Sequence, residues 1–267
     1  MKRRQYGGLY FAQLNFRNRF LKGRKEMIPP WVNWDGKDGR ELIQTGDQLL
    51  TYFSTVCGLQ SNARVLDISC GIGRVAVAFT HYLSSEGSYD GIDIIPEAIK
   101  WCTKKISRGY PRFRFHVADI YNEQYNPKSR FKASDYAFPF ERDSFDFVIL
   151  ASVFTHTFPE DVEHYMSEIV RMLRPGGTCF ATYFLLNPET LEHIETGKST
   201  LDFRFKGDRY RMVSREVPER AVAYDEAYVI DLFAQNRLVN AAPIRYGTWS
   251  ARATDYEYQD FIVTQEV

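Results

Sequence analysis

The sequence predicts an α/β protein: a mixed, mostly parallel sheet with helices on both faces. Two observations lead there. From residue 64 onward, short apolar runs alternate with amphipathic stretches of helical period. Residues 65–93, VLDISCGIGRVAVAFTHYLSSEGSYDGID, form one complete unit of strand, small-residue turn, helix, strand and terminal carboxylate.

Along the chain, residues 1–30 mix Arg and Lys with Tyr6, Tyr10, Phe11, Phe16 and Phe20, and Leu9, Gln13, Phe16 and Phe20 follow roughly helical spacing. This predicts an amphipathic helix laid on the core. Pro29 and Pro30 break it, and residues 31–36 read as a loop carrying Trp31 and Trp34. Residues 41–57 predict a helix with Leu42, Leu49, Leu50, Phe53 and Val56 on one side and Gly46 interrupting it. Residues 1–58 are thus expected to form a helical and loop cap, and residues 59–267 a core.

In that core, residues 65–68 predict the first strand, 69–73 the turn, 74–83 a helix and 89–92 the second strand, ending at Asp93. Pro96 opens a helix at its favoured first-turn position, running to about Ser107. Residues 112–117 predict a third strand ending at Ala118-Asp119. Residues 120–143 exceed an ordinary connection and read as an insertion. Residues 145–151 predict the fourth strand, and the loop 152–159 falls at the carboxyl edge of the sheet, where open α/β folds take ligands. A helix over 160–173 is closed by Pro175-Gly176-Gly177, and 178–186 predict the fifth strand. A second insertion, 187–224, is charged and aromatic and is placed to cap the site. A helix over 225–236 and strands at 244–246 and 261–264 complete the pattern.

The unit at 65–93 has a definite chemistry. Glycines let a backbone pass close beneath a ligand, and a helix start offers free N–H groups to an anionic group. A carboxylate ending the next strand accepts ribose hydroxyls. Residues 71–76, GIGRVA, match the G-x-G-x-x-G/A pattern of NAD sites. Asp67 stands against NAD: a carboxylate four residues before Gly71 repels a pyrophosphate and attracts an ammonium group. S-adenosylmethionine carries such an amino-acid tail, together with a ribose and an adenine.

The segments VLDISCGIGR (65–74), YDGIDIIPEAI (89–99), FHVADI (115–120), FDFVILASVFTH (145–156) and EIVRMLRPGGTCFATYF (168–184) together resemble the class I S-adenosylmethionine-dependent methyltransferases, in the family's order. The resemblance implies a Rossmann-like seven-stranded mixed sheet in the order 3-2-1-4-5-7-6, with the seventh strand antiparallel. It implies S-adenosyl-L-methionine as cofactor and S-adenosyl-L-homocysteine as product. It assigns cofactor contacts to Asp67, Ser69, Gly71, Gly73, Asp93, Ile94, Asp119, Ile120 and Ala151. Ser69 departs from the pattern, standing where the family has its first turn glycine. Asp119 matches the acidic residue that takes the adenine amino group, with Asp135 as its rival.

His156, in the loop after the fourth strand, is the candidate general base, or else a structural histidine shaping that loop. His116, inside a strand, reads as structural. No metal site is expected, because Ala151-Ser152 stand where the magnesium-dependent members carry an Asp. The expected acceptor is a small-molecule or glycan hydroxyl. Trp31, Trp34 and Trp249 offer faces for a sugar ring or another planar group. The alternatives are a protein or RNA methyltransferase, or a catalytically inactive methyltransferase-like binding protein.

Composition sets the remaining bounds. Thirty-four basic and 34 acidic residues balance over 267 positions, which argues against a dedicated nucleic-acid binder. Cys57, Cys70, Cys102 and Cys179 lack metal-binding spacing. The basic start Lys2-Arg3-Arg4 precedes no apolar signal core, and no stretch approaches the ~20 apolar residues of a membrane helix. A cytoplasmic protein with reduced thiols is expected.

Overall fold

A computed structural model of the chain describes residues 24–29, 39–122, 126–254 and 257–267. The predicted helix over 1–30 lies largely outside the described residues, and the loop with Trp31 and Trp34 wholly so.

A seven-stranded sheet forms the centre. Its strands are β1 (Arg64–Ile68), β2 (Ser88–Asp93), β3 (Phe113–Val117), β4 (Phe145–Leu150), β5 (Leu173–Tyr183), β10 (Leu238–Asn240) and β11 (Asp260–Glu266). The spatial order is β10-β11-β5-β4-β1-β2-β3. β1 pairs in parallel with β2 and β4, β2 with β3, and β4 with β5. β11 runs antiparallel to both β5 and β10. This is the expected order, with the last strand inserted antiparallel.

β1 and β4 are mostly apolar, each interrupted by one carboxylate, Asp67 and Asp146, because both faces are covered. Along β4, Phe147 and Ile149 join one buried cluster while Val148 and Leu150 join the other. The helices α1 (Gly39–Thr55), α2 (Arg74–Phe79) and α3 (Pro96–Cys102) cover the first face, contributing Leu49, Phe53, Val75, Phe79 and Cys102. α4 (Pro159–Met172) covers the second, together with α6 (Glu226–Gln235), which follows a further helix, α5 (Pro188–Glu195). Val162, Met166, Val229 and Leu232 are their buried residues. Gly46 lets α1 lie against the start of α2: a Cβ there would collide with the Arg74 carbonyl. Gly46 thus does not break the helix but brings α1 close to α2.

Two expectations are corrected. Residues 244–246 are not a strand; Arg245 makes only an isolated bridge to Phe261. The sixth sheet position belongs to Leu238–Asn240, which follow α6 through Arg237 at φ 58° and pair with residues 264–266. Residues 185–186 also leave the main sheet. They form β6 (Leu185–Leu186), which joins β7 (Phe205–Lys206), β8 (Tyr210–Met212) and β9 (Val222–Asp225) in a second sheet ordered β6-β9-β8-β7. The second insertion thus has a fold of its own, built on Phe184, Leu186, Phe203, Ala223 and Trp249.

Among the described residues no helix is long and apolar enough to cross a membrane. The four cysteines are free, with Cys70, Cys102 and Cys179 buried.

Candidate active site

The site is built at the carboxyl ends of β1, β2, β3 and β4. β1 runs into the turn Ser69–Gly73, where Ser69, Gly71 and Gly73 have φ of 64°, 54° and 82°. A residue with a side chain held in this left-handed region costs roughly 1–2 kcal/mol, which explains the family's glycine at the position Ser69 occupies. Ser69 is held there by its N–H, which donates to the Ile92 carbonyl at 2.8 Å. Its Oγ lies 3.5 Å from Asp93 Oδ2. A Cβ on Gly73 would sit 2.8 Å from Ile106 Cδ1 and 3.0 Å from Cys102 Sγ. Over Gly71 the same construction meets nothing within 4 Å, so the turn presents its Gly71 side to open space.

Asp93, at the end of β2, closes the turn. Its Oδ2 accepts from Gly71 N–H at 2.7 Å and its Oδ1 from Ile95 N–H at 2.9 Å. The residue is 5% exposed, and burial raises its pKa from the ordinary value against the opposing pull of these donors. The carboxylate is thus more enclosed than the sequence implies. The Ser69 hydroxyl and the Ile94 N–H add to these donors, so the carboxylate is held by its own turn on several sides.

Asp67 is buried deeper, at 1% exposure. Burial pushes its pKa from 3.8 up to about 7, opposed by a hydrogen bond from the Tyr89 hydroxyl and by the nearby charge of Arg74. The sheet register explains the Tyr89 contact. Gly91 stands directly across from Asp67 and fills no space, so Tyr89, two residues earlier on the same face, reaches the carboxylate.

The end of β3 is joined to β2 by Ala118 N–H donating to the Asp93 carbonyl at 2.9 Å. Ile94 is half-buried against the second-face cluster, and Ile120 is buried within it. Asp119 accepts from Arg130 Nε at 2.9 Å, and this bond holds its carboxyl below the usual range. Asp135 is exposed in the 3₁₀ turn Ala133–Asp135 of the first insertion.

After β4, Ala151 is half-buried and Ser152 turns the chain at φ 65°. The Ser152 N–H donates to Thr182 Oγ1 at 2.8 Å and its Oγ to Gln259 Oε1 at 2.9 Å. These bonds fix the 3₁₀ turn Phe154–His156. His156 is exposed, and its Nδ1 lies 2.9 Å from the carbonyl oxygen of Glu219 in the second insertion. A carbonyl only accepts, so Nδ1 carries a proton in this contact, and of the two neutral tautomers the contact selects the one with Nε2 as acceptor. The other described histidines in polar contacts serve structure. His116 meets Asp90 at 2.9 Å, and His164 and His193 meet the carbonyls of Tyr136 and Ser250.

Trp249 is not available as a ligand face. It is 0% exposed, and its indole N–H donates to Asp260 Oδ2 at 2.9 Å. Asp260 also accepts from the N–H groups of Leu185 and Gly247, both at 2.7 Å, and joins the second insertion to β11. Sequence reasoning missed Tyr89, Arg130, Glu219 and Gln259, whose contacts with Asp67, Asp119, His156 and Ser152 depend on register and loop placement.

Residues 65–177 match the family model described as "Methyltransferase domain". A phthiotriol/phenolphthiotriol dimycocerosates methyltransferase of Mycobacterium leprae is 34% identical over 117 residues, covering 44% of this chain and 36% of the relative. The matched region thus spans little more than a third of that relative's length. A SAM-dependent methyltransferase structure from Methanosarcina mazei is similar at TM-score 0.51 and 21% identity, covering 78% of this chain and 94% of the other. The Synechocystis magnesium protoporphyrin IX methyltransferase, solved with bound SAH, is similar at TM-score 0.56 and 15% identity, covering 96% and 95%. Residues 65–177 are thus similar to methyltransferase domains, and the sheet order and glycine turn are those of the S-adenosylmethionine-dependent methyltransferase fold.

Proposed function

We propose that the chain transfers a methyl group from S-adenosylmethionine to a hydroxyl of a small molecule, with His156 as general base. The observation that carries this reading is the state of His156. Its Nδ1 proton is committed to the Glu219 carbonyl, which in the neutral ring leaves the lone pair on Nε2, at the same sheet edge as the glycine turn and Asp93. Bound there, S-adenosylmethionine supplies a sulfonium methyl as electrophile.

The residues fit that cofactor. The open side of Gly71 leaves space for its body, and the Asp93 carboxylate at the end of β2 is the group that would accept a ribose hydroxyl. Asp67, lifted to about 7 by burial, regains its charge beside an ammonium group, directly or through a water. Asp119 and Ile120 border the adenine side, with Asp135 as the alternative acceptor, and Ile94 and Ala151 supply apolar contacts. His156 Nε2 takes the acceptor's hydroxyl proton as the oxygen bonds to the methyl carbon. The carbon–sulfur bond breaks, leaving the neutral thioether S-adenosylhomocysteine. The enzyme's further contribution is alignment of oxygen, carbon and sulfur with water excluded.

The Mycobacterium leprae relative, whose printed name specifies a triol, supports a hydroxyl acceptor. A glycan acceptor loses the support of Trp249, which is buried. The test is an S-adenosylhomocysteine release assay over a panel of hydroxylated lipids, phenols and sugars, repeated with His156→Ala. Turnover in the variant should fall by about 10²–10⁴ with cofactor affinity unchanged; equal turnover removes His156 as the base.

A further inference from the structure

The two insertions meet at the Asn122–Glu219 contact, which reaches the loop after β4. Asn122, three residues beyond Asp119, donates from Nδ2 to Glu219 Oε2 at 2.8 Å. Glu219 lies in the 3₁₀ turn Pro218–Arg220 of the other insertion, and its backbone carbonyl takes the Nδ1 proton of His156. The connection therefore runs from the end of β3, through one residue, to the loop after β4. Those strands are separated in the sheet by β1 and β2. Three strand spacings amount to about 14 Å, and the residues spanned are the ones that carry Ser69–Gly73 and Asp93.

From this juxtaposition we propose that Asn122 and Glu219 are positioning residues for His156, coupling occupancy of the adenosine side to the state of the base. The inference rests on the reading of His156 given above. Which ring nitrogen of a histidine carries the proton is set by the bond the other nitrogen makes. The Glu219 carbonyl selects the Nδ1–H form, which alone leaves Nε2 able to take a proton. That carbonyl belongs to a short surface turn between β8 and β9, and the Glu219 side chain ties the turn to Asn122. Asp119 and Ile120 lie three and two residues before Asn122 and follow Ala118, whose N–H donates to the Asp93 carbonyl. A nucleoside seated on Asp93 and Asp119 orders this segment, and with it the turn that fixes His156.

The experiment reads the His156 tautomer by long-range ¹H–¹⁵N NMR in the whole chain, without and with S-adenosylhomocysteine, so no acceptor is needed. In the unmutated protein the Nδ1–H form should dominate and strengthen on adding S-adenosylhomocysteine. Asn122→Ala and Glu219→Ala should each lower the ratio of Nδ1–H to Nε2–H by about fivefold, the size of one lost neutral hydrogen bond, and abolish the response to S-adenosylhomocysteine. Glu219→Gln keeps an acceptor oxygen for Asn122 and should restore the unmutated tautomer and response. A loss of packing alone would move the melting temperature of these variants without moving the tautomer. Unmutated tautomer ratios in folded Asn122→Ala and Glu219→Ala would overturn the proposal, as would a Glu219→Gln variant that behaves like Glu219→Ala. Failure of the base assignment shows separately, as undiminished turnover in His156→Ala.

Discussion

Replacing Asp67 by asparagine exchanges a buried ionisable group for a neutral one of the same shape that still accepts from Tyr89. The magnitude follows from the burial. Asp67 is raised from 3.8 to about 7, and at about 1.4 kcal/mol per pH unit the ionised form costs the fold about 4 kcal/mol. The folded group binds its proton more tightly than the unfolded chain does. Stability from this group is therefore complete below about pH 4 and is lost as pH rises through about 7. Asparagine carries no such dependence.

Urea unfolding of both proteins between pH 4 and pH 8 should give a stability difference that grows in favour of Asp67→Asn by about 4 kcal/mol across that range. Asp93 and Asp260 titrate in both proteins and largely cancel in the difference. The same variant should bind S-adenosylmethionine at least about tenfold more weakly, having lost the charge opposite the ammonium group. In the unmutated protein, binding near pH 7 should release a fraction of a proton, seen as a dependence of binding heat on buffer ionisation enthalpy. A stability difference flat from pH 4 to pH 8 would refute the elevated carboxyl.

Three further outcomes are expected. Asp93→Ala should weaken S-adenosylmethionine binding at least about tenfold by calorimetry, and unchanged affinity in a folded variant refutes its role. Gly73→Ala should cost about 2–4 kcal/mol in urea unfolding, because a side chain at φ 82° would also overlap Ile106 and Cys102; a loss under half a kcal/mol would refute that close packing. Trp249→Phe should cost about 1–3 kcal/mol and push Asp260 above its value of about 6. Its stability should therefore fall more steeply than the unmutated protein's as pH rises through that region, with acceptor KM unchanged; a raised KM would return Trp249 to the substrate site.

The sheet was legible because β1 and β4 are buried on both faces and read as short apolar runs with one carboxylate in each. β1, β2, β3 and β4 fall within a residue or so of expectation, and Pro96 and Pro159 stand at the starts of their helices. The edge was not legible. Val239 and Asn240 are exposed, so β10 carries no apolar pattern, and it is a strand only because β11 offers it a partner. Ile244–Tyr246 has strand-like residues but lies beyond that pairing.

The site divided in the same way. Ser69, Gly71, Gly73 and Asp93 lie within one local unit, and the structure joins Ser69 and Gly71 directly to Asp93. The surroundings of Asp67, His156 and Trp249 come from Tyr89, Glu219 and Asp260, which are 22, 63 and 11 residues away in sequence. Nothing in the local pattern reports such contacts. Trp249 illustrates the cost, since an aromatic in a long loop suggests a ligand wall until its hydrogen bond to a buried carboxylate is seen.

The central claim is a cofactor site formed by the Ser69–Gly73 turn, Asp67 and Asp93 that takes S-adenosylmethionine. Calorimetric titration of the purified protein with S-adenosylmethionine, S-adenosylhomocysteine and NAD tests it most directly. Micromolar binding of the first two with no heat from NAD is the result expected. Heat from NAD alone, or from none of the three, would contradict it.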